Sequence, residues 1–151
     1  MRASADVKAR ATSGQLATFR LDGDLYGVEV EHVQEVLRTQ QLTRVPLAPT
    51  AVAGLINLRG QVVTAIELRE RLGRPPRPEG TDAVVVVVRL HGEAVSLLVD
   101  SIADVVDVDA ADFEAPPDTL EGQARDLIRG AYKLDGQLLL ALDVHKAVSA
   151  S

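Results

Sequence analysis

Apolar and polar residues alternate along most of this chain, and long helical spacing is rare. Residues 16–21 and 25–30 read as two strands joined at Asp22-Gly23-Asp24, where glycine can take the positive φ of a tight turn. Val30, Val33, Val36 and Leu37 then fall at helical spacing, which predicts a short helical turn rather than continued alternation. Core burial is expected for Val36, because short β elements hide most of their valines. Residues 43–45 form a short extended piece stopped by Pro46 and Pro49. Residues 53–58 and 61–66 form a second hairpin about Arg59-Gly60, and 67–72 form one or two helical turns ended by Gly73.

Residues 74–81, Arg-Pro-Pro-Arg-Pro-Glu-Gly-Thr, can continue neither helix nor ladder, since proline fixes φ and removes a donor. They set the expected boundary between a first half over 15–73 and a second over 82–148. In the second half, 83–90, 94–99, a turn-and-strand from Ile102, 128–134 and 137–142 read as strands. Residues 114–127 are a loop with a little helix, and 143–148 a terminal helical turn. Residues 1–14 are polar and aperiodic and read as a flexible tail. The total of about ten short strands predicts a mainly β protein of two small, closed or nearly closed sheets.

The halves repeat one another. At an offset of 69, Arg20-Leu21 meets Arg89-Leu90, Gly23 meets Gly92, Val33 meets Ile102, and Glu35-Val36 meets Asp104-Val105. At an offset of 76, Gly54, Leu58, Gly60-Gln61 and Ala65 meet Gly130, Leu134, Gly136-Gln137 and Ala141. One supersecondary unit used twice leaves a groove between its copies. Positions alike in both copies are scaffold; positions that differ can carry specialised function. Arg59 stands where the second copy has Asp135, although arginine lacks the short side chain that eases positive φ. A locally poor residue can mark an interface or can simply be a solvated loop tip.

Composition narrows the function more than the fold. The chain has 151 residues, 46% of them hydrophobic, enough for a core built from valine, leucine, isoleucine and alanine. The absence of cysteine excludes disulfides and thiolate chemistry. The longest apolar run, 83–88, is far shorter than a membrane helix, and no signal peptide is read at the N-terminus, so a cytoplasmic protein without membrane insertion is expected. A net charge of −6 argues against nucleic-acid binding. His32, His91 and His145 lie in separate local contexts without ligand spacing, so no metal site is expected. No nucleophile elbow, catalytic triad or phosphate loop is present, so neither an enzyme nor a cofactor is expected.

Several strings carry a family resemblance. Arg44-Val45-Pro46, then 52–60 (Val-Ala-Gly-Leu-Ile-Asn-Leu-Arg-Gly) and 66–73 (Ile-Glu-Leu-Arg-Glu-Arg-Leu-Gly), resemble the CheW family of chemotaxis coupling proteins. So do 19–28, 33–36 and 97–105, and the likeness runs from about residue 15 to 148. Thr64 departs from a common proline and Glu67 from a usual aspartate. The resemblance implies two SH3-like five-stranded β-barrels packed side by side with a few short helices. It implies a non-catalytic adaptor joining the histidine kinase CheA, through its regulatory domain, to the cytoplasmic tip of methyl-accepting chemoreceptors. It implies little self-association alone, ring or array assembly with partners, and recruitment to membrane-associated receptor arrays. Carried onto matching positions, Val33, Glu35, Gly54, Asn57 and Arg59 would lie near the partner surfaces, with Val99, Asp100 and Val105 as candidates in the second half. A related adaptor of pili, gliding or development is an alternative reading, and a small-ligand-binding β-barrel another, disfavoured by the scarcity of aromatic and convergent polar groups.

Overall fold

The computed structural model describes residues 13–38 and 41–149; the tail expected over 1–14 lies outside them save for its last two residues. The described chain runs β1 (Gly14–Leu21), β2 (Asp24–Glu29), a 3-10 turn (Val30–His32), β3 (Val33–Leu37), β4 (Leu42–Thr43), β5 (Val52–Leu58), β6 (Gln61–Glu67) and helix α1 (Leu68–Arg71). It continues with β7 (Val84–Leu90), β8 (Glu93–Val99), β9 (Ser101–Val108), a 3-10 turn (Ala110–Asp112), β10 (Phe113–Glu114), α2 (Gly122–Leu127), β11 (Ile128–Leu134), β12 (Gln137–Leu142) and α3 (Val144–Val148). The mainly β class and the hairpins therefore agree with the sequence pattern.

The strands form two six-stranded sheets, β10-β11-β12-β2-β1-β9 and β3-β7-β8-β6-β5-β4. Advancing every strand by one repeat, β1 to β7, β2 to β8 and onward, turns one order into the other. The duplication is thus structural, but the halves do not each build a sheet. Hairpin β1-β2 joins the sheet of β9–β12, and hairpin β7-β8 joins the sheet of β3–β6. The division into a barrel over 15–73 and another over 82–148 does not describe these sheets; each draws strands from both segments. The exchange is made through parallel pairings, Leu139 opposite Leu25 in one sheet and Thr64 opposite Val95 in the other. Parallel neighbours need long crossovers, which a swap between distant hairpins supplies.

Three apolar clusters follow. Leu16, Leu25, Phe113, Tyr132 and Leu139 share one cluster within the first sheet. Because β10 and β1 are not ladder neighbours, their sharing a cluster requires that sheet to curl. Ile56, Leu58, Val63, Val85, Val87 and Leu98 do the same in the second. The largest cluster lies between the sheets and takes Phe19, Leu21, Tyr26, Val28, Leu140 and Leu142 from one and Ile66, Val86, Val88, Leu97 and Val99 from the other. Burying such side chains contributes about 1.5–3 kcal/mol each, so the layer between the sheets is a large part of what holds the fold together.

Gly54 and Gly130 repeat one device. Each follows a register shift, in β5 against β6 and in β11 against β12. A Cβ on Gly54 would stand 2.5 Å from the Thr43 carbonyl oxygen, and one on Gly130 would stand 2.4 Å from that of Glu114. Only glycine lets β4 and β10 approach so closely.

Two outcomes follow from this architecture. Expressed separately, a fragment ending at Glu79 and one beginning at Gly80 each lack strands for both sheets. Neither should show cooperative unfolding by circular dichroism alone, and mixing them should restore it. Gly54→Ala should lower stability by about 2 kcal/mol or more in urea titration, because backbone must move to admit the methyl.

Candidate functional site

The two sheets expose a matched pair of edge strands. β3 flanks β7 at one edge and β9 flanks β1 at the other. Each edge strand carries a bulge at the same place in its repeat, between Val33 and Glu35 in β3 and between Ile102 and Val105 in β9. The Thr18 hydroxyl donates to the Asp104 carbonyl inside the second bulge. Bulges turn an edge away from further pairing and re-aim its side chains.

After the bulge, Val36 lies opposite Val86 and Val105 opposite Ala17. Val86 belongs to the between-sheet core and Ala17 packs against it. Directly opposed residues share a face, so both edge strands aim valines at the seam. Val33 is half-buried against that core. Val36, Ile102 and Val105 remain 45%, 44% and 57% exposed, which corrects the expected burial of Val36. An apolar groove of about 590 Å³ opens here, lined by Val36, Leu37, Ala83, Val84 and Ile102 with Arg38 and Asp82 at its rim.

Glu35 faces the other way. It lies opposite Val87 of the inner cluster, and its Oε2 accepts a hydrogen bond from Arg59 Nη1 at 2.6 Å. That hydrogen bond, aided by the Arg59 charge, holds the Glu35 carboxyl below the usual carboxylate range. Arg59 occupies positive φ (51°) and Gly60 follows at 84°, a two-residue turn of the primed type. Asn57 Oδ1 accepts the Gly60 N–H at 2.9 Å and closes the turn. In the other copy only Gly136, not Asp135, sits at positive φ. The strained residue is therefore the arginine, and its guanidinium is engaged by Glu35. Glu35 thus pairs with Arg59, and Asn57 closes the turn that carries it.

Other expected residues have structural roles. Gly54 is buried beneath Thr43, and Val99 is fully buried in the between-sheet core, so neither offers a surface. Asp100 is bound bidentately by Arg69, Nε to Oδ1 at 2.9 Å and Nη2 to Oδ2 at 2.6 Å. It also accepts from Arg77 Nη2 at 3.1 Å and from the Asp22 N–H at 2.9 Å. Burial pushes the Asp100 carboxyl up, but the Arg69 and Asp22 hydrogen bonds and the charges of Arg69 and Arg77 outweigh it and bring it down to about 2. Sequence reasoning missed Arg69, Arg74 and Arg77, which make the proline-rich stretch a strap. Arg69 Nη1 donates to the Pro75 carbonyl at 2.8 Å, Arg77 pairs with Glu67 at 2.8 Å, and Arg74 pairs with Asp24. Glu67 also caps α1, and Thr64 is paired on both sides, so neither departure from the family pattern loosens the fold.

Comparison with known proteins agrees with this architecture. The family model described as the CheW-like domain matches residues 15–151. The chain is 31% identical over 140 residues to the chemotaxis protein CheW of Treponema pallidum, covering 90% of this chain and 82% of that one. It is 28% identical over 142 residues to the chemotaxis protein CheW of Bacillus subtilis, covering 94% and 89%. Among solved structures it is similar to the scaffolding protein TtCheW of Thermoanaerobacter tengcongensis, with a TM-score of 0.80, 27% identity and coverage of 91% and 94%.

The Asp100 cluster gives a pH dependence with a definite sign. Its folded pKa lies below the ordinary aspartate value, so it stabilises the fold above about pH 4 and the contribution fades as pH falls toward 2. Asp100→Asn should remove about 2 kcal/mol at neutral pH and flatten the acid limb of urea stability measured across that window.

Proposed function

We infer the role of this chain from its membership: it belongs to the CheW-like domain family. It is a non-catalytic adaptor of chemotaxis signal transduction. Its partners are the regulatory domain of a CheA-type histidine kinase and the cytoplasmic tip of methyl-accepting receptors. It acts in the cytoplasm and is recruited to receptor arrays.

The observation that carries this reading is the groove bounded by β3 and β9. A receptor tip is a rod of packed helices, and a rod fits a trough whose two walls present matching aliphatic side chains. Val36 and Ile102 supply those walls, one from each edge strand, and Val105 is exposed farther along β9. Arg59, held by Glu35 at the end of its hairpin, supplies a charged hydrogen-bond donor beyond the apolar strip. Such contacts bury little, on the order of 1,200 Å² or less in total, so each bond is weak alone. Repetition of the same contact in an array supplies the strength through effective concentration.

Val36→Asp and Ile102→Asp place charge at exposed positions and should leave melting unchanged. Each should weaken capture of a purified receptor signalling fragment by about tenfold or more. Arg59→Ala should lower kinase activation in reconstituted ternary assemblies. Unaltered receptor capture and kinase activation in all three variants would refute the groove and the turn as partner surfaces.

A further inference from the structure

The duplication brings together residues that look unrelated in sequence. Arg69 in α1 corresponds to His145 in α3 at the offset of 76, and Asp100 corresponds to Glu31 at the offset of 69. Asp22 corresponds to His91 at the same offset of 69. At the first junction, guanidinium groups of Arg69 and Arg77 close on Asp100. At the second, an imidazole replaces Arg69. A guanidinium can only donate hydrogen bonds, whereas an imidazole nitrogen has a lone pair for a metal.

Donor groups converge at this second junction. One oxygen each of Glu29 and Glu31 and one nitrogen of His32 lie within 4.8 Å of one another. His32 Nε2 stands 3.7 Å from Glu29 Oε2, near the ~3.3 Å edge of a zinc tetrahedron with bonds of about 2.0–2.1 Å. The His32 and His145 ring centroids are 5.6 Å apart, and those of His91 and His145 are 5.3 Å apart. Two imidazoles on one tetrahedral zinc place their centroids about 5.2 Å apart. Arg129 Nη1 engages Glu29 Oε1 at 2.9 Å and leaves Oε2 turned toward His32. A small cavity of about 180 Å³ opens among Glu29, His32, Arg129, Asp143 and His145. His91 and His145 are exposed, so an ion can reach the site.

We propose that Glu29, Glu31 and His32, whose donor atoms already lie together, bind one divalent transition-metal ion, zinc above all, with the exposed His145 turning its ring in as the fourth ligand and His91 flanking it. Mixed imidazole and carboxylate donors select zinc, nickel or copper over magnesium and calcium. The ligands come from the crossing between β2 and β3 and from the helix after β12. A bound ion therefore ties β3, the wall of the groove, to the opposite sheet.

The test uses full-length chain freed of any affinity tag. Scanning calorimetry with ZnCl2 at about a hundredfold excess over its Kd should raise Tm by about 5 °C or more, while MgCl2 should not. His32→Asn with His145→Asn should abolish the shift and leave the metal-free Tm close to wild type. His91→Asn should reduce it less. Should the double variant fold poorly, calorimetric titration of the wild type with ZnCl2 decides, with one ion per chain expected. The proposal is overturned by a wild type that takes up no zinc, by an equal shift with MgCl2, or by a zinc shift that survives in the folded double variant.

Discussion

The reciprocal exchange of hairpins β1-β2 and β7-β8 is the constraint on which the rest of this molecule depends. Neither sheet is complete without strands from the far end of the chain. The exchanged strands also carry the residues that glue the sheets face to face, Phe19, Tyr26 and Val28 from one hairpin and Val86, Val88, Leu97 and Val99 from the other. Completing the sheets and packing them together are therefore one event. The proline-rich stretch confirms the point from the polar side. A segment that reads as a spacer is strapped by Arg69 and Arg77 to Asp100 at the end of β8 and to Glu67 at the end of β6.

What the sequence shows and what it hides divide along the range of the interactions. Strands, hairpins and the repeat are encoded locally, in period-two alternation and turn glycines, and they are legible. Partner choice is not local. Nothing in 16–30 says that Leu25 will lie beside Leu139, because a parallel pairing leaves no turn signal between its strands. Glu35 and Val36 show the other failure. Core burial is expected of Val36, but the helical part ends at His32 and a bulge follows, so one extra residue turns Glu35 toward the inner cluster and keeps Val36 on the seam face, where the edge of the sheet leaves it half exposed. Nothing near Asp100 in the sequence announces Arg69 and Arg77, which close on it from 31 and 23 residues away. Likewise His32, His91 and His145 share no sequence spacing, since only the exchange brings their elements together.

Duplication also explains why so much of the surface is paired yet not identical. Gly54 and Gly130 keep one job, admitting a short strand whose backbone nearly touches them. Arg59 and Asp135 have parted. The aspartate hairpin uses only one residue at positive φ, whereas the arginine hairpin uses both. Holding a non-glycine residue there costs about 1 kcal/mol. The Asn57 cap closes that turn, and the Glu35 pair engages the guanidinium.

A groove made by two edge strands of different sheets has a mechanical consequence. Its width is set by the packing of the sheets, and that packing is a dense aliphatic layer with few polar atoms to rearrange. Close-packed interiors yield little and have few alternative arrangements. A partner seated between β3 and β9 would meet walls that do not widen cheaply, and a push on them would be borne by the packed sheets together. An adaptor without chemistry of its own can pass on only what its packing does not absorb, and the exchanged hairpins make that packing common to both sheets.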